Sequence, residues 1–199
     1  MKELVFLLEE QSAKALVEKL LPALNGPASQ IQGRFIVFEG KQDLDRQLER
    51  RLRGYINPQA RFIVLRDQDR ANCREVKRSL AATCSRAGKP GTIIRIACHE
   101  LEAFYLGDLR AVELGLEIGG LAAKQNRAKY RDPDRLPSPA RELEELTAGR
   151  YQKVSGSRAI APHLDLNTPR SKSFHHLLQA IRKASGDLPA RRAPGKRMT

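Results

Sequence analysis

The chain has 199 residues, 41% of them hydrophobic, enough for one substantial core with a smaller appended lobe and a tight fit for two full domains. Lys and Arg number 36 against 23 Asp and Glu, a net charge of +13. That excess favours a polyanionic partner, nucleic acid first, through counterion release; a basic surface that only aids solubility is the competing reading.

The first apolar run, Leu4 to Leu8, is followed at once by Glu9 and Glu10. It is too short for a secretory h-region, and no stretch approaches the length of a membrane span. Cys73, Cys84 and Cys98 form no CxxC pair and are odd in number, which argues against a disulfide framework or a zinc site. A reduced compartment, the cytoplasm, is therefore expected. Leu4 to Leu8 reads as the first of four β-rich runs, the others being Arg34 to Phe38, Arg61 to Leu65 and Thr92 to Ala97. Near-continuous apolarity is what a parallel strand covered on both faces requires. After the first run, Ser12 as N-cap opens a helix with the apolar stripe Ala13, Leu16, Val17, Leu20 and Leu24, stopped by Gly26-Pro27. Asp43 to Leu52 predicts a polar helix on an outer face, and Cys73, Val76, Leu80 and Cys84 predict a third helix that Gly88 and Pro90 end. The order βαβαβαβ implies right-handed crossovers into a parallel sheet, an α/β fold.

Beyond Cys98, helices are expected over Glu100 to Leu106 and Val112 to Ala123, a proline-bearing surface loop over Lys129 to Pro139, and an amphipathic helix over Phe174 to Ala184. Residues 124–199 hold 17 Lys and Arg against 7 Asp and Glu, so most of the positive excess lies there. The expected division is an α/β core over 1–123, a basic loop and helical extension packed on it over 124–188, and a disordered basic tail over 189–199.

Ligands of open parallel sheets bind beyond the carboxyl ends of the strands. Here those positions are acidic: Glu9 and Glu10 after the first run, Asp67-Gln68-Asp69 after the third, His99-Glu100-Leu101-Glu102 after the fourth. Two Asp at i and i+2 of an extended segment share a side, and clustered carboxylates call for Mg²⁺ or Mn²⁺, or for raised pKa values. Any one of these acids alone reads more readily as structural, stabilised in the first turn of a helix, and Asp67 could cap the helix that follows or pair with Arg66 and Arg70; three acidic strand ends in one chain reverse that preference. Glu100 and Glu102 share a face only if the strand extends that far. His99, beside the cluster, reads as a proton carrier or as a hydrogen-bonded structural histidine. Adjacent His175 and His176 face different sides of their helix and do not chelate.

A strand ending in Glu9, a strand ending in Asp67-Gln68-Asp69 and a helix between them resemble the topoisomerase-primase (Toprim) domain. Phe6-Leu-Leu-Glu9-Glu-Gln-Ser12, Leu65-Arg-Asp67-Gln-Asp69 and Glu100-Leu-Glu102-Ala-Phe-Tyr-Leu-Gly-Asp108 are similar to the Toprim-like family known as domain of unknown function 4276. So are Tyr151-Gln-Lys153, Ile160-Ala-Pro-His163, Asn167 and Ser171-Lys-Ser173-Phe174. The resemblance implies a Rossmann-like three-layer fold around a mostly parallel four-stranded sheet. It implies that Glu9 is the acid/base or metal-binding carboxylate, that Asp67 and Asp69 hold Mg²⁺ or Mn²⁺, and that Glu100 or Glu102 completes the coordination. It also implies an ATPase partner, since relatives often sit beside ATPases in defence-type gene pairs. One departure stands out: the usual Toprim Glu is followed by Gly, whereas Glu10 follows here and repels phosphate.

The leading expectation is thus a Mg²⁺-dependent nuclease or related phosphoryl-transfer enzyme, with Lys153, Arg158, Arg170 and Lys172 of the basic half contacting the nucleic-acid backbone. The alternative is a non-catalytic nucleic-acid-binding or regulatory partner of an ATPase that keeps the Toprim shape. A metal-dependent phosphatase of small molecules is a third.

Overall fold

The four apolar runs form β1 (Glu3–Leu8), β2 (Gln32–Val37), β3 (Arg61–Asp67) and β4 (Ile93–Ala97), which pair only in parallel, in the order β2-β1-β3-β4. This computed structural model describes residues 3–24 and 32–186. Crossovers are made by α1 (Gln11–Leu24), α2 (Lys41–Arg53) and α3 (Cys73–Arg86). Successive strand residues point to opposite faces. Leu4, Phe6, Leu8, Ile63 and Leu65 therefore join α1 on one side, while Val5, Leu7, Phe62, Val64, Ile94 and Ile96 meet α2 and α3 on the other. The result is the expected three-layer, Rossmann-like α/β architecture with an all-parallel sheet.

After β4 come α4 (Ala103–Leu106), α5 (Leu109–Leu116), α6 (Pro139–Leu146), α7 (Lys153–Ile160) and α8 (Lys172–Ser185), joined by short 3₁₀ turns. They cover the α1 face of the sheet. Leu143, Ile160, Phe174, Leu177 and Ile181 belong to the same apolar cluster as Phe6 and Ile63. The rings of Phe104 and Phe174 stack at 4.9 Å, and Arg61 Nη1 donates to the carbonyl of Ala184 at 2.7 Å.

Several local expectations are corrected. α1 begins at Gln11, so Ser12 is no N-cap; it is buried inside the first turn and its hydroxyl donates to the Glu10 carboxylate. Gly26-Pro27 and the tail over 189–199 lie outside the described residues. The charged α2 still buries Leu44, Leu48 and Leu52, a stripe of three leucines spaced four apart that suffices to dock it. Helix is limited to Ala103–Leu106 where Glu100 to Leu106 was expected, because Asp69 N–H takes the His99 carbonyl and Cys98 to Glu102 turn back on themselves. The loop over Lys129 to Pro139 contains two 3₁₀ turns that bury Tyr130 and Pro133. Neither α6 nor α7 was expected. α7 buries Gly156, Ser157 and Ile160 while exposing Val154, so its inward face is made of small groups that apolar periodicity does not register.

Small groups matter because α5 and α7 touch through their backbones. A Cβ at Gly115 would stand 2.7 Å from both the Ala159 carbonyl oxygen and the Ile160 Cα. Ala ordinarily gains about 1 kcal/mol over Gly inside a helix; here the clash is with backbone, which cannot yield. Gly115→Ala is accordingly expected to lower the melting temperature by several degrees, measurable by thermal denaturation; an unchanged or raised midpoint would contradict this packing.

Candidate active site at the carboxyl edge of the sheet

Where β1 ends, its backbone leaves the ladder toward β2: Glu9 N–H donates to the Leu65 carbonyl (3.3 Å), but the Glu9 carbonyl accepts from Gly40 N–H (2.9 Å). The Asp67 N–H would otherwise lack its ladder partner, a costly state for a backbone group away from water. The Glu9 carboxylate supplies it: Asp67 N–H donates to Glu9 Oε2 at 3.0 Å. Chain topology thus fixes Glu9 against the end of β3.

Burial raises the Glu9 carboxyl above the ordinary carboxylate range, with Asp69 and Glu10 adding to the rise and the Asp67 amide and Arg66 opposing it. Asp67, half-buried at the strand end, is raised well above that range by desolvation and then by the charges of Glu9, Glu102 and Glu10; the Leu101 amide only partly offsets this. Glu102 is fully buried, and desolvation raises it also. Its Oε1 accepts from the Tyr151 hydroxyl at 2.9 Å, while its Oε2 has no hydrogen-bond partner. Tyr151 can lie there because Gly156 has no side chain: a Cβ would come within 2.5 Å of the Tyr151 ring. Beside it the Tyr105 ring sits 6.0 Å away, its buried hydroxyl also unpartnered.

Lys153, expected to contact a nucleic-acid backbone, is exposed at the start of α7 beside this cluster and holds Glu10 Oε2 at 3.3 Å. Burial alone would lower its pKa, but the fields of Glu102, Glu10 and Asp67 outweigh that and raise it. The inner group is therefore Glu9, Glu10, Asp67 and Glu102, with Lys153 acted on by the last three and Lys41 by Glu9.

Asp69 and Glu100 go elsewhere. Asp69 has φ 54° and His99 φ 59°, left-handed conformations that these residue types tolerate better than most. The Asp69 N–H donates to the His99 carbonyl at 2.7 Å, and the Asp69 carboxylate takes Lys41 Nζ at 2.7 Å. Glu100 Oε2 accepts from Ala140 N–H, at the start of α6, at 2.8 Å. So Glu102, not Glu100, joins the buried acids, and Asp69 faces a neighbouring cleft of about 480 Å³ together with His99 and Glu100. Arg158, Arg170 and Lys172 are exposed; Arg170 and Lys172 line two separate clefts, and Arg170 donates to Asn126 Oδ1 at 3.3 Å. Among the described residues no three His, Cys, Asp or Glu side chains stand ready-made as a metal site. The donor set nonetheless fits a hard cation: it is all oxygen, it holds more carboxylates than ammonium groups, and one buried oxygen has no donor.

An all-parallel sheet with ionisable groups gathered beyond its carboxyl edge defines a Rossmann-like α/β protein with an acidic site. The family described as Domain of unknown function (DUF4276) matches residues 8–182, and the chain belongs to it. No curated protein and no solved structure matches the chain. No helix of the described residues is long and apolar enough to cross a membrane.

Raised carboxyls bind protons more tightly in the folded chain than in the unfolded one. Their linkage therefore removes stability as pH rises from the ordinary carboxylate range through the raised values, and the loss is complete above them. Lys153 keeps its charge throughout that window. Asp67→Asn, which retains an acceptor for the Leu101 amide, is expected to melt higher than the parent at pH 8 in metal-free buffer. A gain of about 1 kcal/mol corresponds to ~2–4 °C for a chain this size. The two midpoints should converge near pH 4; a variant melting lower at pH 8 would refute the charge-repulsion account.

Proposed function

We propose that the chain is a Mg²⁺- or Mn²⁺-dependent phosphodiesterase acting on nucleic acid, on a Toprim-like arrangement of carboxylates. The observation that carries this reading is the pinning of Glu9 on the Asp67 amide beside the buried, half-satisfied Glu102. Glu9, Asp67 and Glu102 would hold the cation, with Asp69 at its flank. When bound, such an ion neutralises phosphoryl oxygens and lowers the pKa of water. The chain's own groups orient the site. The Asp67 and Leu101 amides hold Glu9 and Asp67 in place, Tyr151 fixes Glu102, and Lys153 offsets Glu10, the charge that would otherwise repel phosphate. A cytoplasmic location and an ATPase partner in a defence-type pair accompany this proposal.

A second reading has its own support. Lys153 already supplies positive charge at Glu10 and Glu102, as a non-catalytic nucleic-acid-binding partner of an ATPase that holds no cation would need. Plasmid and single-stranded substrates incubated with Mg²⁺ or Mn²⁺ separate the two. The enzyme should cleave, and Asp67→Ala should reduce the rate by more than the ~10–100-fold typical of an outer-shell partner. Cleavage at parental rate in Asp67→Ala sinks the enzymatic reading. Binding lost on neutralising the Lys and Arg residues beyond Lys124, with Asp67→Ala behaving as parent, favours the second.

A further inference from the structure

The cleft of about 480 Å³ beside the buried acids is lined by Lys41, Arg66, Asp69, Arg70, His99 and Glu100 among others. Its two carboxylates are already compensated within the protein. Asp69 is paired with Lys41 at 2.7 Å, and Glu100 takes the Ala140 amide where the positive end of the α6 dipole lies. Its guanidinium groups keep unmet donors. Arg66 gives Nη1 to Asp45 at 2.7 Å, which leaves its buried Nε with no acceptor. Arg70 is exposed and makes no hydrogen bond or ion pair among the described residues. Lys41, the first residue of α2, also lines the cleft; the Gly40 N-cap offers no side-chain cap, and the carboxylate in that first turn, Asp43, accepts from the Glu39 N–H at 3.3 Å. The unmet Arg66 Nε and the unpaired Arg70 guanidinium call for the same thing, an anion of several oxygens.

We propose that this cleft holds a backbone phosphate of the nucleic-acid strand adjoining the one addressed at Glu9, Asp67 and Glu102, with Arg70 and Arg66 as its donors. This rests on the phosphodiesterase reading for its orientation but not for its binding chemistry. The strand then enters over the β3–β4 side of the sheet edge. Asp69 and His99, both lining this cleft, are tied to each other through Asp69 N–H and the His99 carbonyl at 2.7 Å. The basic extension, although richer in Lys and Arg, spreads its expected contacts: Arg170 and Lys172 line clefts lacking any of Glu9, Asp67 and Asp69.

The test is fluorescence anisotropy of short labelled single-stranded DNA and RNA in EDTA, so that binding is read without cleavage. Arg70→Glu should weaken binding at least 10-fold and reduce the salt dependence by about one phosphate contact, whereas Arg170→Glu and Lys172→Glu should change it less than 3-fold. Arg70→Lys should recover part of the affinity. Inorganic phosphate competing as well as an oligonucleotide, concentration for concentration, would identify a free-anion site and overturn the strand assignment. Unchanged binding in Arg70→Glu, with the loss appearing in Arg170→Glu or Lys172→Glu, would overturn the cleft. Cleavage assays on the same variants keep the two readings apart: Arg70-dependent binding with no cleavage in any metal sustains the cleft and rejects the enzyme.

Discussion

Negative charge held in a poorly solvated place is the constraint around which this molecule is arranged. Four carboxylates gather at the carboxyl edge of the sheet with Lys153 paired to one of them, and three of the four are pushed toward their neutral form by burial and by one another. The fold tolerates this because it commits backbone amides to the acids. The Asp67 amide goes to Glu9 and the Leu101 amide to Asp67, while the Ala140 amide takes up the outlying Glu100. Amides carry no counter-charge, so they orient the carboxylates without neutralising them.

That distinction separates what the sequence disclosed from what it hid. The strands were legible because two-sided burial leaves a continuous apolar run, and their order followed from the alternation with helices. The acids at three strand ends were legible for the same reason, since a parallel sheet delivers them to one edge. Which acids converge was not legible. Asp67 and Asp69 lie two residues apart, yet the left-handed turn at Asp69 sends its carboxylate to Lys41, outside the buried group. Glu100 and Glu102 are separated likewise, because the chain turns rather than extending β4.

The role of Lys153 was hidden for another reason. A lysine in a basic stretch reads as a surface charge, and only the docking of α7 against α1 places it beside Glu10. The clue available in one dimension was glycine: Gly156 and Gly115 sit where helices and rings approach too closely for a Cβ, so the small residues of α5 and α7 mark an interface rather than a weak helix.

The shared apolar cluster that unites Phe6 and Ile63 with Ile160, Phe174 and Ile181 has a consequence for how the chain can be cut and inherited. Shortening the protein after β4 would remove the α6, α7 and α8 side chains that share this cluster and uncover the outer side of α1. Acidic strand ends and the lysine that tempers them are consequently carried by elements that bury one common apolar cluster.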